Sequence, residues 1–446
     1  MINQAPSPFV SQIAGLLSAN ASLSANELQA ATGKSQPSIS LAMAQLGDRV
    51  CKLGAARSTR YALTKDILGL SANQPLHVTD EAGTVGEFGT LTQLHNRQIV
   101  VRAKSKRQWI SAPGELPWFL KPLRPQGFLG RQYLQLRPDF PNDPDSWTAE
   151  QALYIAANHA ADPPGAFGLG ENAVRQVPES PGEIDARALH YDYLASSVGK
   201  TLPAGSSAGG EQPKFLTELA ERTGYRHLIV KFTPPRDAPF GQRWRALLYL
   251  EHLAQTILSA HGIAAAQTHI VESPTRTYLE SQRFDRIGVQ GKRHVVAIDA
   301  LHSEFVDAPR RNWVHTAQVL AEMKRITAAE LSTIARIHTF GQYIGNSDMH
   351  FGNLSFFVDA VDRPTLTLAP VYDMLPMMWR PEVNTGELIL RLLDTSMVMP
   401  SYVHEKSESR EWAIAFWQQA AALDALDAPM RGACEANASR LRAMVL

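Results

Sequence analysis

Residues 343–357 read YIGNSDMHFGNLSFF. Apolar residues at both ends enclose Asn346, Asp348, His350 and Asn353, a set that neither a buried strand nor a solvent loop favours. The pattern places an acid and an amide together at the end of a hydrophobic element. Asp348 and Asn353 stand five positions apart. An acid with a hard-oxygen ligand one short loop away suits magnesium, which prefers oxygen donors and keeps several waters. His350 is a further candidate ligand, though a His in a metal-proximal loop more often orients its neighbours.

The five-residue spacing is that of Asp and Asn in the kinase catalytic loop H-R-D-x-x-x-x-N, where the Asp accepts a hydroxyl proton and the Asn holds a metal. Working outward, Asp373 in LAPVYDMLP follows a strand-like run, TLTLAPVY, where a second metal-binding Asp would lie. Met374 and Leu375 stand where a protein kinase has Phe and Gly, which excludes an ordinary protein kinase. Upstream, RHLIVKF (226–232) puts Lys231 inside a buried strand, a costly position unless its ammonium is paired. Glu251, in the amphipathic helix at 243–262, is the candidate partner. Further upstream, GSSAGGEQPKF (205–215) offers small residues whose N–H groups can approach phosphate oxygens, with Lys214 adding charge. Each feature alone has an ordinary reading: a turn, a snorkelling lysine, a surface carboxylate. Their order along one chain is much harder to obtain by accident.

The remaining sequence bounds the setting. With 446 residues the chain has room for two or three domains. Lys plus Arg equals Asp plus Glu at 43 each, so a globally basic nucleic-acid binder is excluded, though a local basic patch is not. Cys51 and Cys434 make neither a disulfide framework nor a zinc spacing, which fits a reducing compartment. The N-terminus lacks the basic start of a secretion signal, and no apolar run approaches membrane-helix length. The expected location is cytoplasmic, with no membrane partner.

Residues 7–65 predict three helices and a hairpin, the winged helix-turn-helix pattern. Ser24 or Asn26 caps the second helix and Gly33 ends it; Ser35 caps the third, with Pro37 in its first turn. That helix would present Ser35, Gln36, Ser38 and Ser40 to base edges of double-stranded DNA, while Arg57 and Arg60 on the hairpin would meet phosphate. A protein-docking unit is the alternative. Residues 75–140 predict a half-exposed antiparallel sheet followed by a Pro-rich connection. The basic cluster AKSKR (103–107) reads as a solvated face, and Gly168-Leu169-Gly170 as a loop.

SSAGGEQPK, IVKF, QRFDR, GNSDMHFGN and PVYDML resemble the successive motifs of HipA-type serine/threonine kinases, over about residues 75–446. The resemblance implies an α+β chain in three parts. These are a winged helix-turn-helix (1–70), a HipA N-terminal-like β-rich subdomain (71–195), and a bilobal HipA C-terminal-like kinase domain with a largely helical C-lobe (196–446). Ala208, Gly209, Gly210, Glu211, Gln212 and Lys214 would form the ATP phosphate loop, and Ser207 would be the serine that the enzyme phosphorylates on itself. Lys231 would contact phosphates, and Gln282, Arg283 and Phe284 would form the adenine hinge, with Gln282 replacing the family's usual Glu. Asp348 would be the catalytic base, Asn353 and Asp373 the Mg2+ ligands, and His350 would border the nucleotide.

Partners implied by the resemblance are a protein substrate such as a translation factor or aminoacyl-tRNA synthetase and a HipB-like antitoxin; helix-turn-helix proteins often pair with a second copy of the chain to read two half-sites. The outcome would be growth arrest. In typical HipA systems the DNA-binding part is a separate antitoxin, so the fusion is a departure. Two rival readings stay open: a DNA-binding regulator with an inactive, nucleotide-sensing kinase fold, and a metal-dependent DNA nuclease.

Overall fold

Local caps and apolar spacing in the first fifty residues set three helices around a small core. Helices Pro8–Ala19, Ala25–Thr32 and Gln36–Leu46 bury Val10, Ile13, Leu17, Leu28, Ile39, Ala42 and Leu46 in a small core of their own. Ser24 and Glu27 form a reciprocal capping box on the second helix, which ends at Gly33 with φ 68°. Strands Val50–Leu53 and Arg60–Leu63 pair antiparallel, and Leu23–Ser24 adds to the second. The computed structural model describes residues 7–159, 162–171, 182–183, 187–201, 212–221, 224–238, 240–382, 388–394 and 403–444.

A second sheet, entirely antiparallel, has the strand order Gln108–Ile110, Ile99–Ala103, Val85–Gln93, Asn73–Thr79, Phe167–Leu169. The last of these corrects an expectation. Gly168 and Leu169, which read as a loop in the sequence, pair with His77 and Leu76. A three-residue edge strand is too short to display alternation, so periodicity could not reveal it. After the sheet, the Pro-rich connection runs from Trp118 to Ser146 through short helical turns.

A third sheet has the order Thr268–Glu272, Thr277–Gln282, Gly224–Phe232, Lys214–Glu221, Gly182–Glu183. Helix Gly241–Ala260 packs against it. The helices Trp313–Glu322, Ala328–Tyr343, Val403–Ala421 and Ala428–Ala443 build the C-terminal part, with the small sheet Val295–Ala297, Ser355–Val358, Leu366–Leu368 beside them. One hydrophobic core joins the middle sheet to this part: Leu76, Leu91, Phe119 and Phe167 belong to the same cluster as Ile298, Trp313, Phe340 and Trp417. Among the described residues no helix is long and apolar enough to cross a membrane.

Candidate active site

Lys231 sits in the middle strand of the third sheet, opposite Leu279 on one side and Lys214 on the other. Its side chain is 9% exposed, so its ammonium must find anions within the protein. It donates to both carboxylate oxygens of Glu251, at 2.6 and 2.8 Å, and to the carboxylate of Asp373. Glu251 is 3% exposed on helix Gly241–Ala260, and Asp373 lies 142 positions beyond the lysine. The three groups therefore arrive from a strand, a helix and a distant loop.

Burial pushes the Lys231 ammonium down, but Asp373 and Glu251 outweigh it and hold the group above the ordinary lysine value. Burial pushes Asp373 up, and the charges of Lys231 and then Lys214 pull it below the ordinary carboxylate range. For Glu251, burial and the nearby Asp373 push up while Lys231 pulls down, and the net direction is up. Raised values on both Lys231 and Glu251 compete for one proton. The two short contacts to both oxygens are those of an ammonium–carboxylate pair, and that is the state we adopt. Lys214 lies in the same field: burial and Lys231 push it down, Asp373 up.

The opening stretch forms a loop after helix Ala328–Tyr343. Asn346, 5% exposed, ties it together: its Oδ1 accepts from the Asp348 N–H at 3.0 Å and its Nδ2 donates to the Asp373 carbonyl at 3.2 Å. The buried Asn353 donates from Nδ2 to the Asp348 carbonyl at 2.9 Å, which leaves its Oδ1 as the metal-type donor. Asp348 is half-buried, and among the described residues its carboxylate takes no hydrogen bond or salt bridge. His350 is exposed; its Nδ1 accepts from the Gly352 N–H at 3.0 Å and its carbonyl accepts from Trp313 Nε1 at 3.0 Å.

The Tyr372 hydroxyl donates to the Gly352 carbonyl at 2.6 Å, binding the loop to the residue before Asp373. Asp373 itself has φ 52°, a left-handed backbone that non-glycine residues rarely adopt. The kink coincides with the point where its carboxylate meets Lys231. Asn346 is the residue whose role sequence reasoning missed. The signal was its amide inside an apolar run, but its partners are backbone groups that no side-chain pattern predicts.

The structure thus brings Lys231, Asp373, Asn353 and Asp348 into one region and adds Glu251 and Asn346. Among the described residues no three or more Asp, Glu, His or Cys side chains surround a common metal position. Of the two residues expected to hold magnesium, Asn353 spends its Nδ2 on the Asp348 carbonyl and keeps its Oδ1, while the Asp373 carboxylate meets Lys231.

Elsewhere the expected residues fare unevenly. Ser207, Ala208, Gly209, Gly210 and Glu211 lie outside the described residues. Gln212 donates from Nε2 to the Phe232 carbonyl at 2.6 Å, beside Lys231. Gln282 ends the strand Thr277–Gln282 and donates its N–H to the Gln267 carbonyl at 2.9 Å. Arg283 donates its N–H to the His227 carbonyl at 2.9 Å, and its buried guanidinium binds Asp285 at 3.1 Å and also Asp162. Its backbone N–H and side chain are therefore committed within the protein. Phe284 sets its ring centroid 5.8 Å from both Phe357, edge-on, and Tyr372, tilted.

In the N-terminal unit Ser35, Gln36 and Ser40 are exposed, while Ser38 is half-buried and shares a 3.0 Å hydrogen bond with Ser35. Arg57 stands in the exposed hairpin turn. Arg60 is half-exposed and bonded locally: it donates to the Ser22 hydroxyl and carbonyl, both at 2.9 Å, and pairs with Glu27 at 3.0 Å.

Comparison with known proteins accords with this architecture. A family model for the HipA-like C-terminal domain matches residues 206–444, and one for the middle domain of YjjJ-like toxins matches residues 70–178. The chain is 36% identical over 368 residues to Toxin YjjJ of Escherichia coli strain K12, covering 80% of this chain and 81% of that one. A solved chain from the Shewanella oneidensis MR-1 complex of HipA, HipB and operator DNA shares the fold, with TM-score 0.55 and 15% identity over 83% of this chain and 96% of its own. The chain belongs to the HipA-like toxin family, in its YjjJ-like branch.

Proposed function

We propose that this protein is an ATP- and magnesium-dependent serine/threonine protein kinase that carries its own DNA-binding winged helix-turn-helix. The observation that carries the reading is the convergence of Lys231, Glu251 and Asp373, with Asp348 and Asn353 one hydrogen-bonded loop away. Lys231, oriented by Glu251, would bind nucleotide phosphates, with Lys214 from the adjacent strand adding positive charge. Asn353 and Asp373 would hold magnesium, which when bound neutralises charge on the phosphates. Asp348, whose carboxylate has no competing partner among the described residues, would accept the proton of the attacking serine or threonine hydroxyl. Rate would come mainly from positioning and charge neutralisation.

The three-helix unit with its hairpin supports a DNA partner through Ser35, Gln36, Ser40 and Arg57. A HipB-like antitoxin, a translation protein as substrate, and growth arrest are proposed on family membership. A cytoplasmic site of action accords with Cys51 and Cys434, both buried and unbridged. The test is incorporation of labelled γ-phosphate by wild type and by Asp348→Asn. Loss in the variant is the expected result. Equal incorporation, or none in either protein, overturns the kinase reading.

A further inference from the structure

The hairpin of the N-terminal unit is not a free wing. One of its faces, Cys51, Leu53 and Ala62, packs on Leu94 and Val100 of the middle sheet. Along its edge, Gln108 Oε1 accepts from the Gly54 N–H at 2.8 Å, and Gln108 Nε2 donates to the Lys52 carbonyl at 2.9 Å. Arg102 donates to that same carbonyl from Nη2 at 2.6 Å. Below the hairpin, the Leu63 carbonyl accepts from the His95 N–H at 2.8 Å, and the Gln93 carbonyl from the Lys65 N–H at 2.9 Å. The exposed turn KSKR (104–107), flanked by Arg102 and Gln108, therefore stands beside the hairpin in a fixed relation.

Basic residues on exposed turns are usually just solvated, so the decisive question is where their counter-charges are. Lys104 pairs with Glu87 at 2.9 Å, and Arg107 with Asp362 at 3.5 Å while lying over Trp109. Lys52, Arg57, Arg102 and Lys106 are exposed, and among the described residues none of them pairs with a carboxylate. Four uncompensated cations stand on two units whose scaffolds are hydrogen-bonded to each other, a preorganised strip for a polyanion. Long cationic side chains reaching phosphate bind a duplex through its backbone, without regard to sequence.

We infer that the middle domain is part of the DNA-binding surface, with Arg102 and Lys106 continuing the phosphate contacts that Lys52 and Arg57 begin on the hairpin. The inference rests on the DNA reading proposed above. It is tested with the full-length protein and a mixed-sequence DNA duplex, by fluorescence anisotropy across a salt series. Wild type is compared with Arg102→Gln/Lys106→Gln and with Lys106→Gln alone, a side chain with no hydrogen bond or ion pair among the described residues, so its loss leaves the Arg102 clamp intact. Each lost phosphate contact lowers the log–log salt slope by about 0.9, so the double variant should lose about 1.8 and the single variant about half that. Between 50 and 200 mM salt, wild type should then lose roughly ten-fold more affinity than the double variant. Unchanged affinity and slope in both variants, with wild type binding, overturn the inference and leave the DNA reading standing. No binding by wild type overturns both.

Discussion

Lys231 and Arg60 each face a glutamate on a neighbouring helix, and the fold uses the two pairs in opposite ways. Lys231 and Glu251 are 9% and 3% exposed; Arg60 and Glu27 are 42% and 47% exposed. In the interior, water cannot satisfy the ammonium, so a second carboxylate, Asp373, is drawn from far along the chain and a three-group centre results. At the surface the guanidinium is satisfied locally, by Ser22 and Glu27, and the pair merely fastens a strand to a helix. A buried pair can define a site because it needs more partners than its neighbours supply.

The contrast is most open to attack at Lys231. Lys231→Met should destabilise the fold by about 3–5 kcal/mol in denaturant titration, since it strands two carboxylates, and should abolish phosphate transfer. A stable Lys231→Met protein would show that burial does not set the centre's chemistry. Asp348→Asn should separate the two properties, lowering kcat by about 10²–10⁴-fold with an unchanged melting temperature.

Interior histidines extend the same test to pH. Burial holds His338 and His294 down at about 4, below the ordinary histidine value. The unfolded chain therefore takes up their protons first, so their contribution is complete above about pH 6.5 and is lost as pH falls toward 4. The loss should be on the order of 3 kcal/mol for each by pH 4, and His338→Gln should flatten that slope. The smallest effect belongs to the surface: Arg60→Ala should leave melting temperature and DNA affinity essentially unchanged, and a large drop in affinity would return Arg60 to the DNA interface.

How much of this was readable in the sequence follows the same divide. Lys231 announces itself because a cation in HLIVKF has no cheap explanation. Asp348 and Asn353 are legible through their spacing. The three N-terminal helices are legible because caps and apolar spacing act within a few residues. Asn346 gained no role, since its partners are main-chain groups two and 27 positions away. Nothing in ARSTRY says which of two arginines meets Glu27, thirty-three positions back, so the local role of Arg60 was not legible. Asp162, in a Pro-rich stretch that reads as plain loop, binds Arg283 and Arg286 more than 120 positions later.

That last contact bears on how the protein could be divided. Asp162 falls within the matched middle segment, whereas Arg283 and Arg286, both nearly inaccessible, fall within the C-terminal one. Separated halves split between residues 178 and 206 would leave two guanidiniums sharing Asp285 and would uncover the common core. Neither half should behave as a soluble protein alone, and the two co-expressed should reassemble as a split pair. The family boundaries in this chain are therefore not its lines of cleavage.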